Sequence, residues 1–287
     1  MENSAAIPSP ATSLFRGREL LIATKHQKEK VLAPLLQETL GIIPRTAEDY
    51  DTDAFGTFSG EVERPAVPLE TLRLKCLKAM DLFHADLAIA SEGSFGPHPA
   101  FPFLAAGEEW LILIDQKNQL EIIVREISTE TNFSSRLLND ENSLQAFAEN
   151  AGFPSHALIL RNKQQIRKGI QIQDDLFRIF NELQAGGLPV TAETDMRAHL
   201  NPTRMKQIEA LGRKLADKIL STCPHCQWPG FEAVQADQGL PCADCGAPTA
   251  LIRQLHFRCK KCDFSQIRSN PDGHSAADPG NCLFCNP

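Results

Sequence analysis

Outside its last quarter the 287-residue chain has one cysteine, Cys76. It has no surplus of positive charge, no long apolar run and no apolar leader. Each absence excludes something. With 29 Lys and Arg against 36 Asp and Glu, the net charge is −7, which argues against tight nonspecific binding to nucleic acid. No apolar run approaches the roughly 18 residues of a membrane span, so a membrane partner is not expected. Without an apolar opening segment, the expected compartment is a reducing cytoplasm. Residues 1–12 read as a disordered lead-in.

The other eight cysteines are concentrated at the end, as four Cys-x-x-Cys pairs: Cys223/Cys226, Cys242/Cys245, Cys259/Cys262 and Cys282/Cys285. Two thiolates three positions apart on a tight turn grip one tetrahedral metal ion, so four pairs supply two zinc sites of four thiolates each. Disulfides would also use eight cysteines, but not in a reducing compartment. A redox pair appears once rather than four times in tandem, and iron–sulfur ligands usually form a tighter run plus a distant fourth cysteine. The gap lengths suit sequential pairing: Cys223, Cys226, Cys242 and Cys245 in one site, Cys259, Cys262, Cys282 and Cys285 in the other. Cross-braced pairing, first with third and second with fourth, is the alternative. His225, His256 and His274 are read as solvated or as neighbours of the ligands, since the cysteines complete both sites.

Residues 222–287 are rich in Pro, Gly, Asp and Asn, and bury too little apolar surface to offset chain entropy without metal. Five Lys and Arg against six Asp and Glu leave this tail without the cationic footprint that phosphate contacts need, so nucleic-acid recognition through it is not expected. It is read as a structural module or a dock for a protein partner.

Upstream, Glu19–Thr24 and Asp86–Ser91 read as buried strands, Trp110–Asp115 and Gln119–Ile127 as a hairpin around Lys117-Asn118, and His156–Arg161 as another strand. Helical spacing follows in Val31–Leu40, where Pro34 demands a late start or a kink, and from Pro68, whose ring suits a first turn. Further helices fit about 143–150, 173–184 and 203–220. Cys76 is expected as a core thiol. The interleaving predicts an α/β or α+β three-layer domain with a mixed sheet over residues 13–221, followed by a small two-zinc ribbon domain over 222–287.

Four polar segments stand where loops should follow strands, the usual place for ligands in open α/β sheets. Thr24, Lys25, His26 and Lys28 make a natural anion site before a helix, or an ordinary exposed turn. Residues 51–64 carry Asp51, Asp53, Glu61 and Glu63 among glycines, a density that suits Mg²⁺ or Mn²⁺, or a solvated acidic loop. Residues 91–99 hold Glu92 at a strand end, where a metal ligand or general base would stand, with Ser94 and His98 beyond. A serine nucleophile there lacks the strand–turn–helix elbow, and a plain glycine–proline turn is the bland reading. Residues 193–205 hold Asp195, Arg197, His199 and Arg204. Arg197 and Arg204 suit a phosphate clamp, while Asp195–Arg197 pairing and a helix cap by Asn201 or Thr203 need the same residues.

Ile-Ala-Thr-Lys-His (22–26), Asp-Thr-Asp-x-x-Gly-Thr-Phe (51–58), Ala-Ser-Glu-Gly-Ser-Phe-Gly-Pro-His-Pro (90–99) and Glu-Thr-Asp-Met-Arg-Ala-His (193–199), with the cysteine tail, resemble an uncharacterised bacterial family, a domain of unknown function. More remotely, the order of segments in 20–215 is similar to the inosine triphosphate pyrophosphatase fold. Ala23-Thr24-Lys25-His26 looks like that family's phosphate-contacting Ala-Thr-x-Asn-x-x-Lys, with His26 in place of Asn and Glu at position 29. Gly56-Thr57-Phe58 with Glu61 or Glu63 stands where the family has its metal-binding Glu, and Lys75 and Ala79 follow further on than its pattern. Ser91-Glu92-Gly93 echoes Asp-Asp-Ser-Gly, and Ala192-Glu193 with Thr203-Arg204 echoes Ala-Glu and Ser-His-Arg. The resemblance implies a Mg-dependent nucleotide pyrophosphatase or phosphohydrolase. Glu92, Asp53, Glu61 and Glu63 would hold the metal and do the chemistry. Thr24, Lys25, His26, Ser94, His98, Asp195, Arg197, His199 and Arg204 would bind the phosphorylated substrate. The rival reading is a non-catalytic adaptor or ligand-binding protein.

Overall fold

A computed structural model describes residues 10–47 and 68–287. Asp53, Glu61 and Glu63, with the rest of the acidic segment, lie outside the described residues. The described residues divide into two compact units within one helix: those between 17 and 215 form one, and 10–16 with 216–287 form the other.

The larger unit is built on a five-stranded mixed sheet in the order β2-β1-β3-β4-β5. β1 (Glu19–Ala23) pairs in parallel with β2 (Ile43–Thr46) and with β3 (Leu87–Pro97); β4 (Ala105–Asp115) and β5 (Leu120–Ser128) extend the sheet as antiparallel neighbours. Strand alternation assigns the faces. Leu21, Ala23, Ala88, Ala90, Ile112 and Ile114 share a core with Leu72, Cys76 and Met80 of α3 (Pro68–Phe83). The opposite face meets α2 (Glu29–Leu40) and α6 (Pro202–Leu220). There Gly212 of α6 is needed: a Cβ on it would come within 2.8 Å of Leu32 of α2. Helices on both faces give the expected three layers. Burial raises the Cys76 thiol well above its ordinary range, as a core cysteine requires.

A second, four-stranded antiparallel sheet has the order β6-β9-β7-β8, from β6 (Ser135–Leu138), β7 (Leu158–Arg161), β8 (Ile166–Ile170) and β9 (Val190–Thr194). Leu158, Leu160, Val190 and Ala192 pack with Leu144 and Phe147 of α4 (Glu141–Ala151) and with Leu176 and Phe180 of α5 (Gln173–Gln184).

Three expectations change. The run after Ser91 is not a loop: β3 continues through Glu92, Gly93 and Gly96 to Pro97, because β4 reaches back to Ala105 and pairs with it throughout. Of the two alternatives for Pro34 the late start is excluded, because the residue sits inside α2, beyond its first turn. Residues 10–12, placed in a disordered lead-in, belong to α1 (Pro10–Ser13), whose Ala11 is fully buried. Among the described residues no helix is long and apolar enough to cross a membrane.

In the smaller unit, β10 (Glu232–Gln238), β11 (Ile252–Arg258) and β12 (Ser265–Ser269) form an antiparallel three-stranded sheet with β11 in the centre. This topology decides the cysteine pairing. β10 leads away from the first Cys-x-x-Cys turn to the second, β11 returns to the third, and β12 leads away towards the fourth. The first and third turns therefore meet at one end of the sheet, and the second and fourth at the other.

Candidate functional site

The cysteines form two quartets: Cys223, Cys226, Cys259 and Cys262, and Cys242, Cys245, Cys282 and Cys285. The sequential pairing expected from gap lengths is thus corrected to the cross-braced one, because antiparallel strands return alternate turns to the same end. In each quartet the sulfurs lie within 4.8 Å of one another. Cys223–Cys262 and Cys226–Cys259 are 3.8 and 3.6 Å apart, and Cys242–Cys285 and Cys245–Cys282 are 3.9 and 3.6 Å apart. Zn–S bonds of about 2.3 Å at tetrahedral angles place sulfurs about 3.8 Å apart, so the donor sets fit zinc. All eight are free thiols. The turns are alike: the Cys223, Cys242 and Cys259 amides donate to Trp228, Ala247 and Phe264, and the residue after the second cysteine is left-handed at Gln227, Gly246 and Asp263. The tail histidines are not ligands. His256 Nε2 lies 2.6 Å from Asp237 Oδ2, and His225 stacks on Phe264.

The quartets differ in exposure. Cys245 and Cys285 are exposed, whereas Cys226 and Cys262 are only half-buried. Zinc release to a chromophoric chelator is therefore expected in two phases, with Cys285→Ser removing the faster one. A single phase, or loss of the slower one, would contradict this order.

In the larger unit, a group of charged and polar side chains is buried on the α2/α6 face, at the carboxyl end of β1. Thr24 follows Ala23, the last β1 residue, which pairs with Ala90 of β3, the residue before Ser91. Lys28, at the start of α2, is buried and donates to Ser91 Oγ at 2.8 Å. Its Nζ lies 3.8 Å from Oε2 of Glu109, a β4 residue opposite Gly93. Glu109 Oε1 accepts from Arg204 Nε at 2.6 Å, and Arg204 Nη1 donates to the Met196 carbonyl. A Cβ at Gly93 would stand 2.5 Å from Glu109 Oε1 and closer still to Arg204, so this pair occupies the space glycine leaves. Glu109 Oε2 and Thr24 Oγ1 are buried without a hydrogen-bond partner among the described residues. An unpaired buried acceptor costs about 1–3 kcal/mol. Burial pushes the Lys28 ammonium down to about 8, with the Arg204 charge adding to the shift and Glu109 opposing it. A cleft lined by Phe95, Gly107, Glu126, Thr131 and Gln207 reaches Glu109 and Arg204.

The fate of the other expected residues follows from the faces. Glu92 points to the α3 side of β3, where it forms a buried ion pair with Lys75. His26 stacks on His199 with ring centroids 5.3 Å apart, which brings the segment after β9 to the loop after β1. That loop is held tightly, with left-handed backbone at His26 (φ 66) and Gln27 (φ 60). Burial and the Arg197 charge hold the His199 imidazole below its ordinary range. Asp195 is buried and binds Arg197 through both oxygens and the Gly169 amide. Asn201 Oδ1 caps α6 through the Arg204 amide, the local role the sequence allowed. Ser94 Oγ donates to Glu108 at 3.3 Å, and His98 Nδ1 accepts from the Ala100 and Phe101 amides. The two are not hydrogen-bonded to each other. Lys25 is half-buried in the first loop.

Glu109 was missed in the sequence, yet a signal was present. Two consecutive acids, Glu108-Glu109, run directly into the apolar strand segment from Trp110, and within β4 alternation forces one of them inward. Lys75 entered the sequence reading only through the remote resemblance, displaced from that family's pattern, and nothing local marked it as the partner of Glu92. Among the described residues, the cysteine quartets alone bring three or more potential metal ligands together.

No curated protein matches the chain. One family model does, over residues 75–287, from the middle of α3 through both quartets. That match spans about three quarters of the sequence, and so the chain belongs to the family described as a domain of unknown function, DUF6671.

Proposed function

We propose that residues 17–215 bind a phosphorylated small molecule, a nucleotide first among the candidates, and hydrolyse it with the help of Mg²⁺ or Mn²⁺, while the quartets hold two structural zinc ions. The observation that carries this reading is the buried Lys28–Glu109 pair, 3.8 Å apart, with Glu109 Oε2 and the Thr24 hydroxyl buried and without a hydrogen bond among the described residues. Phosphate oxygens would accept from Lys28, Thr24 and Ser91, with the Arg204 charge alongside. Glu109 Oε2 offers a hard oxygen ligand. A divalent ion there would polarise a phosphoryl oxygen and activate water. Ser91 and Arg204, linked through Lys28 and Glu109, come from two of the segments that echo inosine triphosphate pyrophosphatases, which favours this reading. Eight free thiols in quartets fit a reducing compartment, which favours the cytoplasm.

The test is pyrophosphate and phosphate release from a panel of nucleoside triphosphates with Mg²⁺ or Mn²⁺. The expected result is metal-dependent turnover that falls at least a hundredfold in Glu109→Gln. No turnover on any nucleotide would overturn the hydrolase reading. A non-catalytic ligand-binding domain is favoured by one observation: Glu92 and Glu109 are already ion-paired, to Lys75 and Arg204. That reading predicts ligand binding without turnover.

A further inference from the structure

The near-neutral charge of the tail conceals a segregation. All five of its cations, Arg253, Arg258, Lys260, Lys261 and Arg268, fall on β11, β12 and the turn between them, with one carboxylate, Asp263. Its other five acids lie outside this hairpin. All five cations are exposed, and β12 is an edge strand exposed along its whole length. Trp228, Phe257 and Phe264 pack half-buried against Cys223, Phe231 and Cys259, so the rings surround the first quartet. Cations and rings interleave there. Lys261 Nζ lies 3.6 Å from the centre of the Trp228 ring, and the Arg268 guanidinium 4.2 Å from that of Phe257. Arg258 and Lys260 have acidic partners in Asp263 and Glu232, whereas Lys261 and Arg268 are set against ring faces.

We propose that this face, the β11–β12 hairpin with Trp228, binds single-stranded nucleic acid. Cations alone would suit any polyanion. Rings beside them select a strand whose bases are free to stack, because every base presents a flat π-face and a duplex hides it. Lys261 would turn from the Trp228 ring to a phosphate as a base takes its place, and Arg268 would hold the next phosphate. The net charge of the chain does not oppose this, since screening confines each charge to about 8–10 Å at physiological salt and the contact is local.

The test is fluorescence anisotropy of the full, zinc-loaded chain with labelled oligouridine and oligothymidine about twelve nucleotides long. Binding is expected at about 50 mM salt, weakening about sevenfold at 200 mM for the two phosphate contacts of Lys261 and Arg268. Trp228→Leu should weaken it about tenfold, and Lys261→Glu with Arg268→Glu should abolish it, while Arg213→Glu on α6 changes nothing. Zinc content checks the fold of each variant, and photo-crosslinking of the unaltered chain maps the contact independently of the variants. Preference for the uridine or the thymidine strand identifies RNA or DNA as the natural ligand. No binding at low salt overturns the proposal. So do equal competition by a duplex or by polyglutamate, undiminished affinity in the doubly reversed and zinc-loaded variant, or crosslinks outside residues 225–268.

Discussion

Stripping zinc from the purified chain is expected to unfold residues 222–287 while the sheet of residues 17–215 stays protected. The tail has almost no apolar core: around the first quartet only Phe231 is a fully buried ring, and the remaining buried members are the cysteines Cys223 and Cys259. Burial on that scale does not offset the chain entropy of some sixty residues at about 1–2 kcal/mol each. Four-thiolate zinc contributes about 10 kcal/mol or more per site, which makes it the dominant stabilising contribution. Because the quartets are cross-braced, each ties together one end of all three strands, and losing either frees that end of the whole sheet. Cys259→Ser should therefore loosen β10, β11 and β12 together, where sequential sites would have failed one at a time. Hydrogen exchange with and without a strong chelator measures this. Undiminished protection of β11 in the metal-free chain would refute it.

Glu109→Ala is expected to be the most damaging single substitution on the α2/α6 face. The carboxylate stands between two buried cations, Arg204 at 2.6 Å and Lys28 at 3.8 Å. Removing it leaves both charges without a counter-ion in a low-dielectric interior, a loss of about 3–5 kcal/mol for a buried pair broken on one side. Urea unfolding should report that drop in the larger unit. Glu109→Ala with Lys28→Met should recover part of it, because one of the stranded charges is then gone. A loss under 1 kcal/mol would mean that water reaches the cluster freely and that the buried pair is no constraint.

Much of this architecture was legible locally. Cys-x-x-Cys spacing names every ligand of both quartets, because three positions on a turn suffice to present two sulfurs. Helical spacing finds α4, α5 and α6 to within a residue or two, Pro68 marks the start of α3, and Asn201 marks that of α6. The rest depends on contacts remote in sequence. Pairing of the quartets follows from the antiparallel return of β11, which gap lengths do not encode. Gly93 and Gly96 look like turn residues, yet here they are strand residues, and at Gly93 the missing Cβ makes room for an ion pair between β4 and α6. Glu109 and Arg204 are 95 positions apart, so neither announces the other. The cationic hairpin was visible in the residues and was lost by averaging charge over the whole tail.

The pH behaviour of Lys28 joins stability to binding. Its folded value, about 8, lies below the ordinary 10.5, so between these values the unfolded chain binds more protons. Stability contributed by this group therefore rises with pH across that window, while the positive charge available to an anion is lost above about pH 8. The most direct measurement is a calorimetric titration of the full, zinc-loaded chain with pyrophosphate at pH 7 and pH 9, beside Lys28→Met at pH 7. The buried cluster predicts saturable binding at pH 7, about tenfold weaker at pH 9 and lost in Lys28→Met. Absence of binding at both pH values, or equal affinity in Lys28→Met, would contradict a phosphate site at Lys28, Glu109 and Arg204.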